Sequence, residues 1–158
     1  CMWDAAQKKL TFGGKTDRAQ IHADLITWLY DNIAAEKMLD MFPDGDVVLY
    51  GEGYGAGIQS GGGYSETKKF IMFDVLIGGK WWLAKENVND IAAKLGLGVV
   101  PDFGTMTLEA ATEMVRNGFK SKLNNGQAMA EGLVGRTIET LFDKKGHRLI
   151  IKLKTKDF

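Results

Sequence analysis

A glycine-rich segment, residues 51–63, constrains the fold of this 158-residue chain more than any other feature. Seven of its thirteen positions are glycine, too many for the interior of a helix or strand, because glycine loses the most backbone freedom on folding. The segment lacks a Gly-Lys-Ser/Thr ending and does not open a helix in a βαβ unit, so neither phosphate-binding glycine motif matches. We expect a loop here, entered from a short apolar strand at residues 47–50.

Apolar spacing predicts the regular elements around this loop. Ile21, Leu25, Leu29 and Ile33 recur every four positions, which indicates a helix over residues 18–39. The other predicted elements are strands at 8–14, 70–77, 80–84, 130–141 and 147–155 and helices at 87–95 and 107–117. Two-residue and four-residue polar or glycine turns join these strands into hairpins, and strict β-α alternation is absent. The pattern predicts an α+β fold with largely antiparallel sheets and flanking helices, in a single domain spanning residues 1–158.

Composition excludes several classes of site. One cysteine and two distant histidines (Cys1, His22, His147) argue against a disulfide and a zinc site, so any metal would be held by oxygen ligands. We find no run of about 18 apolar residues and no signal peptide, and we therefore expect a cytoplasmic protein without a membrane segment. The net charge is zero, but residues 144–158 carry six basic side chains against one acidic one. That end could meet phosphate, or it could be a solvated strand face with a polar tail.

Two segments of the first half carry candidate binding residues. Glu52, a carboxylate at a strand end among glycines, could accept hydrogen bonds from a ribose, although an exposed Glu in a flexible loop would look the same. In the strand at 70–75, strict alternation places Asp74 on the same face as Met72, and Phe73 on the opposite, wholly apolar face. A Phe beside a pocket can stack on a base, contributing about 1 to 3 kcal/mol, whereas a single Phe in a strand more often belongs to the core.

Two segments of the second half carry candidate charged residues. Glu131 enters an apolar strand, where a carboxylate is costly unless it is paired with a cation, a metal or a hydroxyl. Lys152 and Lys154 lie on the same face of the last predicted strand. Two adjacent ammonium groups repel each other, and an anion such as a triphosphate between them would relieve this repulsion. The alternatives are pairing of Glu131 with a nearby Lys and a solvent-facing lysine row on an edge strand.

In their order and spacing, these segments resemble the motifs of the covalent nucleotidyltransferases, most closely the ATP-dependent RNA ligases of the phage RNA ligase 2-like type. Residues 50–55 are similar to the family's glutamate strand-loop motif, and residues 70–75 to its aromatic-Asp strand. Residues 130–134 resemble its Glu-Gly-hydrophobic-Val strand, and residues 152–154 its Lys-x-Lys strand. The resemblance covers nearly the whole chain and implies a nucleotidyltransferase (ATP-grasp-like) ligase core.

The resemblance also implies how the nucleotide is held. Glu52 would bind the ribose of ATP and Phe73 would stack on adenine. The segment at residues 12–18 is similar to one in which the family often presents an arginine to phosphate. Lys15 stands at that position here, with Arg18 as the other candidate, and a lysine keeps the charge but not the two-pronged geometry.

The same resemblance implies the catalytic residues and the substrates. Glu131 would help bind the catalytic magnesium or its water shell, while Lys152 and Lys154 would contact the triphosphate and stabilise charge as pyrophosphate leaves. The complete enzyme would join RNA ends, free or in a nicked duplex, through enzyme-AMP and adenylylated-RNA intermediates, as in RNA repair. The sequence makes no prediction of the oligomeric state.

One departure from the family is clear. No Lys-x-Asp-Gly motif occurs in the 158 residues, so the lysine that would attack the α-phosphate is absent, and we expect the chain to begin just after that motif. This chain alone is therefore predicted not to adenylylate itself. The alternatives are a non-catalytic nucleotide- or RNA-end-binding module, and a relative of the DNA ligases or capping enzymes.

Overall fold

A computed structural model describes residues 1–16, 18–58 and 63–158 of the chain. Asp17 lies outside the described residues, and so do residues 59–62 of the predicted glycine-rich loop. The chain divides into two compact units, Cys1–Val100 and Pro101–Phe158, here called unit 1 and unit 2. The single domain expected from the sequence stays a prediction.

Unit 1 is built on a six-stranded sheet. Its strands are β1 (Met2–Asp4), β2 (Lys9–Thr11), β3 (Val47–Tyr54), β4 (Lys69–Ile77), β5 (Trp81–Trp82) and β6 (Gly98–Val99). The order across the sheet is β2-β1-β3-β4-β5 with antiparallel neighbours, and β6 pairs with β4 in parallel. The predicted α+β class with largely antiparallel sheets is confirmed, and the parallel β6 is an addition to it.

Three helices of unit 1 bury their apolar sides in one core with the sheet. They are α1 (Ala23–Asn32), α2 (Ala35–Met41) and α3 (Lys85–Leu95). Leu25 and Leu29 of α1, Met38 of α2 and Ile91 of α3 belong to the same buried cluster as the apolar residues of β3 and β4. The helix predicted at 87–95 is confirmed, and it ends as expected at Gly96, whose φ of 72° is left-handed.

The single helix predicted over residues 18–39 is wrong, because two shorter helices replace it. The Asn32 side-chain amide donates a hydrogen bond of 2.7 Å to the Trp28 carbonyl, which competes with continuation of the helix. Ile33 is then extended, with φ −109° and ψ 97°, and lies buried in the core. The chain re-enters a helix at Ala35, and of the spaced apolar residues only Leu25 and Leu29 lie in a helix, α1.

Unit 2 contains α4 (Leu108–Asn117) and an antiparallel pair formed by β7 (Gly132–Arg136) and β8 (Ile150–Lys154). The backbone N–H of Ala110 donates to the Thr107 hydroxyl at 3.2 Å, so the predicted helix start is confirmed. The predicted hairpin is also confirmed, with shorter strands than expected. None of the helices in the described part of the chain combines the length and the apolar character needed to cross a membrane.

Candidate functional site

The pairing of β3 with β4 decides which side chains share a face of the unit 1 sheet, because directly opposite residues of antiparallel strands point to the same side. The core face carries Val47, Leu49, Gly51 and Gly53 of β3 with Phe70, Met72, Val75 and Ile77 of β4. The other side, here called the outer face, carries Val48, Tyr50, Glu52 and Tyr54 with Lys69, Ile71, Asp74 and Leu76.

One extra residue in β4 shifts the alternation of its side chains. Tyr50 lies opposite Asp74, and the next residue, Gly51, lies opposite Met72, so Phe73 is the additional residue of a β-bulge. The strict alternation predicted for residues 70–75 is wrong for this reason. As a result Asp74 shares the outer face with Tyr50 instead of lying beside Met72 in the core.

The structure brings two predicted nucleotide-binding residues onto neighbouring strands. Glu52 is exposed on the outer face, directly opposite Ile71, and the half-buried Phe73 lies two residues further along β4. Neighbouring strands are about 4.8 Å apart, so the two residues lie within reach of one small ligand. Their predicted contacts with ribose and adenine stay predictions.

Two glycines explain why β3 continues to Tyr54 where a loop was predicted from residue 51. A Cβ on Gly51 would overlap the Phe70 ring and the Ile71 carbonyl, and a Cβ on Gly53 would overlap Leu25 of α1. Glycine at these two positions lets a neighbouring strand and a helix come close to the backbone of β3. This role does not depend on the conformational freedom of the glycine backbone. The two glycines let the ladder run past Glu52, so Glu52 stands on a paired strand.

Sequence reasoning assigned no role to several polar and aromatic residues of the outer face. Asp74 is almost fully buried, with 2% of its surface exposed, and among the described residues no buried side-chain nitrogen or oxygen lacks a hydrogen-bond partner. The Tyr50 and Trp82 rings are in contact, with centroids 5.3 Å apart. Burial raises the pKa of Tyr54, which keeps its hydroxyl a hydrogen-bond donor. The sequence feature that could have identified Asp74 as a candidate is an acidic residue inside an apolar strand.

The two candidate phosphate contacts of unit 1 lie in the segment that follows β2. Lys15 and Arg18 are both exposed, and the intervening Asp17 lies outside the described residues. A turn holds the segment, since Ala19 donates its backbone N–H to the Thr16 carbonyl at 2.9 Å. Because β1 separates β2 from β3, this segment starts about two strand spacings, roughly 10 Å, from the strand that carries Glu52.

In unit 2 the hairpin places both candidate lysines on one side. Lys154 lies opposite Gly132 and Lys152 opposite Val134, so all four share one face, here called the lysine face. Both lysines are exposed. Their spacing of two residues separates the Cα atoms by about 6.8 Å, close enough for both ammonium groups to contact one phosphate chain.

The third candidate of unit 2, Glu131, is exposed and immediately precedes β7. Its carbonyl accepts a hydrogen bond of 2.9 Å from the Thr155 backbone N–H, which fixes it beside the end of β8. A Cβ on Gly132 would overlap the Leu153 carbonyl and come within 2.9 Å of the Lys154 Cα. Glycine after Glu131 therefore permits the close approach of the two strand backbones next to Glu131, a reason that the Glu-Gly pattern alone did not give.

Comparisons with known proteins identify a family and a similar fold. A protein-family model described as RNA ligase matches residues 6–154. A solved structure of the RNA ligase of Naegleria gruberi, a lysine-to-methionine mutant with AMP and Mn, is similar with a TM-score of 0.64 and 19% sequence identity. That similarity covers 89% of this chain and 41% of the other, so the chain spans about two fifths of that ligase. Curated proteins give no significant match.

The structural similarity shows a shared fold, and the family match extends over nearly all of the sequence, including the glycine-rich segment, β4 and both strands of the lysine face. This chain belongs to the RNA ligase family.

Proposed function

We propose that this chain is the nucleotide-binding part of an ATP-dependent RNA ligase, which joins RNA ends through enzyme-AMP and adenylylated-RNA intermediates. The observation that carries the proposal is the outer face of β3–β4, where Glu52 stands on a paired strand beside the Phe73 bulge while the opposite face is the core. Family membership supports the same activity.

In this proposal the outer face of unit 1 binds the nucleoside. The Glu52 carboxylate accepts hydrogen bonds from the ribose hydroxyls, and the Phe73 ring stacks on adenine. The positive side chains of Lys15 and Arg18 contact phosphate. Asp74 and Tyr50, which share the outer face with Glu52, form the floor of the same surface.

The charged residues of unit 2 act on the triphosphate. Lys152 and Lys154 stabilise the negative charge that grows on the leaving pyrophosphate. Among the described residues no group of three or more His, Cys, Asp or Glu side chains could hold a metal by itself. Magnesium usually takes only one or two protein carboxylates together with phosphate oxygens and water, so the exposed Glu131 fits as its single carboxylate ligand. When bound, the metal neutralises charge on the phosphates.

The pocket assignment is tested by the affinity of the chain for ATP with magnesium, measured by calorimetry. We expect Glu52→Gln and Lys154→Ala each to weaken binding by about tenfold or more, because each removes a charge-assisted hydrogen bond. Glu36→Gln on α2 and Lys156→Ala beyond β8 are matched exposed controls and should bind like the parent chain. Unchanged affinity in both Glu52→Gln and Lys154→Ala would contradict the assignment.

The absence of Lys-x-Asp-Gly favours a second candidate, a nucleotide- or RNA-end-binding module without chemistry. With labelled ATP and magnesium we expect no covalent adenylate on the 158-residue chain, and a labelled band that survives denaturation would contradict this. The coding sequence upstream of Cys1 separates the two candidates. A Lys-x-Asp-Gly motif within about 15 codons supports the ligase, and its absence supports the binding module.

A further inference from the structure

The hairpin of unit 2 continues past its strands into an ordered tip, residues 141–149. Leu149 donates its backbone N–H to the Leu141 carbonyl at 2.8 Å, and Phe142 forms a bridge with Arg148. The backbone N–H of Asp143 donates to the His147 carbonyl at 2.8 Å, and the backbone N–H of Gly146 donates to the Asp143 carbonyl at 3.0 Å. The tip therefore presents its side chains from a hydrogen-bonded turn.

The carboxylate of Asp143 is engaged inside this turn. It accepts backbone hydrogen bonds from Lys145 at 2.8 Å and from His147 at 2.9 Å, and its second oxygen lies 3.1 Å from the His147 ring. The His147 backbone bond is the main reason that the pKa of Asp143 is lowered. The tip carries three positive side chains, Lys144, Lys145 and Arg148, against the single carboxylate of Asp143, an excess of two positive charges.

Apolar side chains accompany these cations. Phe142 is 55% exposed, and Leu141 and Leu149 are nearly as exposed. A small anion would need only the charges, whereas cations interleaved with an exposed aromatic ring are typical of surfaces that bind single-stranded nucleic acid, where bases stack and phosphates meet lysines.

The charge distribution along the chain points to the same kind of partner. Residues 101–158 contain ten basic and seven acidic side chains, while residues 1–100 contain ten basic and thirteen acidic ones. The excess of positive charge thus lies in unit 2. Every second residue of β8, counted back from Lys154, lies on the lysine face, and the same alternation continued past Ile150 reaches Arg148. Positive side chains therefore lie along about 20 Å from the lysine face to the tip.

We propose that the tip, residues 141–149, is a contact for the RNA substrate, in which Lys144 and Lys145 bind backbone phosphates and Phe142 stacks on a base. This inference rests on the proposed function, because it names the surface that receives the RNA of that ligase. It assigns no part in ATP binding to the tip.

The test measures binding of a labelled single-stranded RNA of about 16 nucleotides to the full 158-residue chain by fluorescence anisotropy over a range of salt concentrations. We expect Lys144→Gln/Lys145→Gln to weaken binding on the order of tenfold at 0.1 M salt. It should also lower the slope of log affinity against log salt by about 1.4, because each lost contact to a single strand removes about 0.7. Phe142→Ala should weaken binding about fivefold or more.

The matched control is Lys8→Gln/Lys9→Gln, an adjacent exposed lysine pair in unit 1 that changes the net charge equally. It should keep the parent affinity for RNA. Equal losses in both lysine pairs, unchanged affinity in the tip variants, or no RNA binding by the parent chain would each overturn the proposal.

Two further measurements separate this proposal from its alternatives. The tip variants should bind ATP like the parent, so a failed ATP pocket and a failed RNA contact are distinguishable. Analytical sedimentation tests whether the exposed apolar residues of the tip bind a second copy of the chain. A parent dimer that Phe142→Ala converts to a monomer with unchanged RNA affinity would overturn the RNA contact.

Discussion

The outer face of unit 1 and the lysine face of unit 2 present charged side chains from paired strands, but different forces support them. Behind Glu52 the sheet rests on a core in which Leu49, Met72 and Val75 are buried completely or almost so. In the described part of unit 2 only Val115 and Ser121 are buried, and Val134 on the lysine face is 61% exposed. Packing therefore supports the outer face, whereas the backbone ladder, a close-approach glycine and a turn support the lysine face.

This difference predicts that substitutions in the two units change different quantities, the free energy of unfolding in unit 1 and ligand binding in unit 2. Substitutions behind the outer face should act through unfolding, because they leave cavities in a close-packed core. Substitutions on the lysine face should change ligand binding with little change in the free energy of unfolding.

The largest expected effect is that of Met72→Ala, which removes a fully buried side chain from β4. We expect the free energy of unfolding, measured by urea denaturation, to fall by about 2 to 5 kcal/mol. The matched truncation Val134→Ala on the lysine face should cost less than about 0.5 kcal/mol. A similar loss in both variants would break the comparison between the two faces.

An intermediate effect is expected for Gly132→Ala, since its new methyl group would overlap the Leu153 carbonyl. We expect the end of the hairpin to open more easily by about 1 to 3 kcal/mol, seen as faster hydrogen exchange of the Thr155 amide, together with weaker ATP binding. Gly135→Ala in the same strand is the control, because a Cβ there meets no atom within 4 Å. If Gly135→Ala opened the hairpin equally, the close approach at Gly132 would not be what holds the end of the hairpin closed.

The smallest effect is the pH dependence of the hairpin tip. Because the hydrogen bonds of Asp143 lower its pKa below the ordinary value of 3.8, its stabilisation of the turn is present above that pH. Stabilisation is lost as the pH falls through the lowered pKa and the carboxyl is protonated. Hydrogen exchange of the Leu149 amide should accelerate in acid and on Asp143→Asn at neutral pH. Equal acceleration of core amides in unit 1 would indicate general unfolding instead.

Features set by neighbouring residues were predictable from the sequence. The Thr107 cap, the left-handed Gly96 and the two hairpins each depend on a few consecutive residues, and the structure confirms them. The order of four short segments also sufficed to indicate the family, because motif spacing is a property of the chain itself.

Features set by distant partners were not predictable in the same way. Gly51 and Gly53 suggested a loop, but their role depends on Phe70 and Leu25, which the fold brings against them. The bulge in β4 likewise depends on its register with β3. The break between α1 and α2 after Asn32 was not predicted, because the apolar spacing carries no sign of the hydrogen bond from the Asn32 side chain to the helix that it ends.

The bulge at Phe73 has a consequence for how this sequence can change during evolution. Deleting Phe73 would leave Met72 opposite Gly51 and Asp74 opposite Tyr50, so regular pairing would return with Asp74 still on the outer face and Val75 still in the core. A one-residue deletion elsewhere in β4 would instead turn over the side chains that follow it. Relatives that keep this face should therefore show single-residue gaps in β4 only at the bulge.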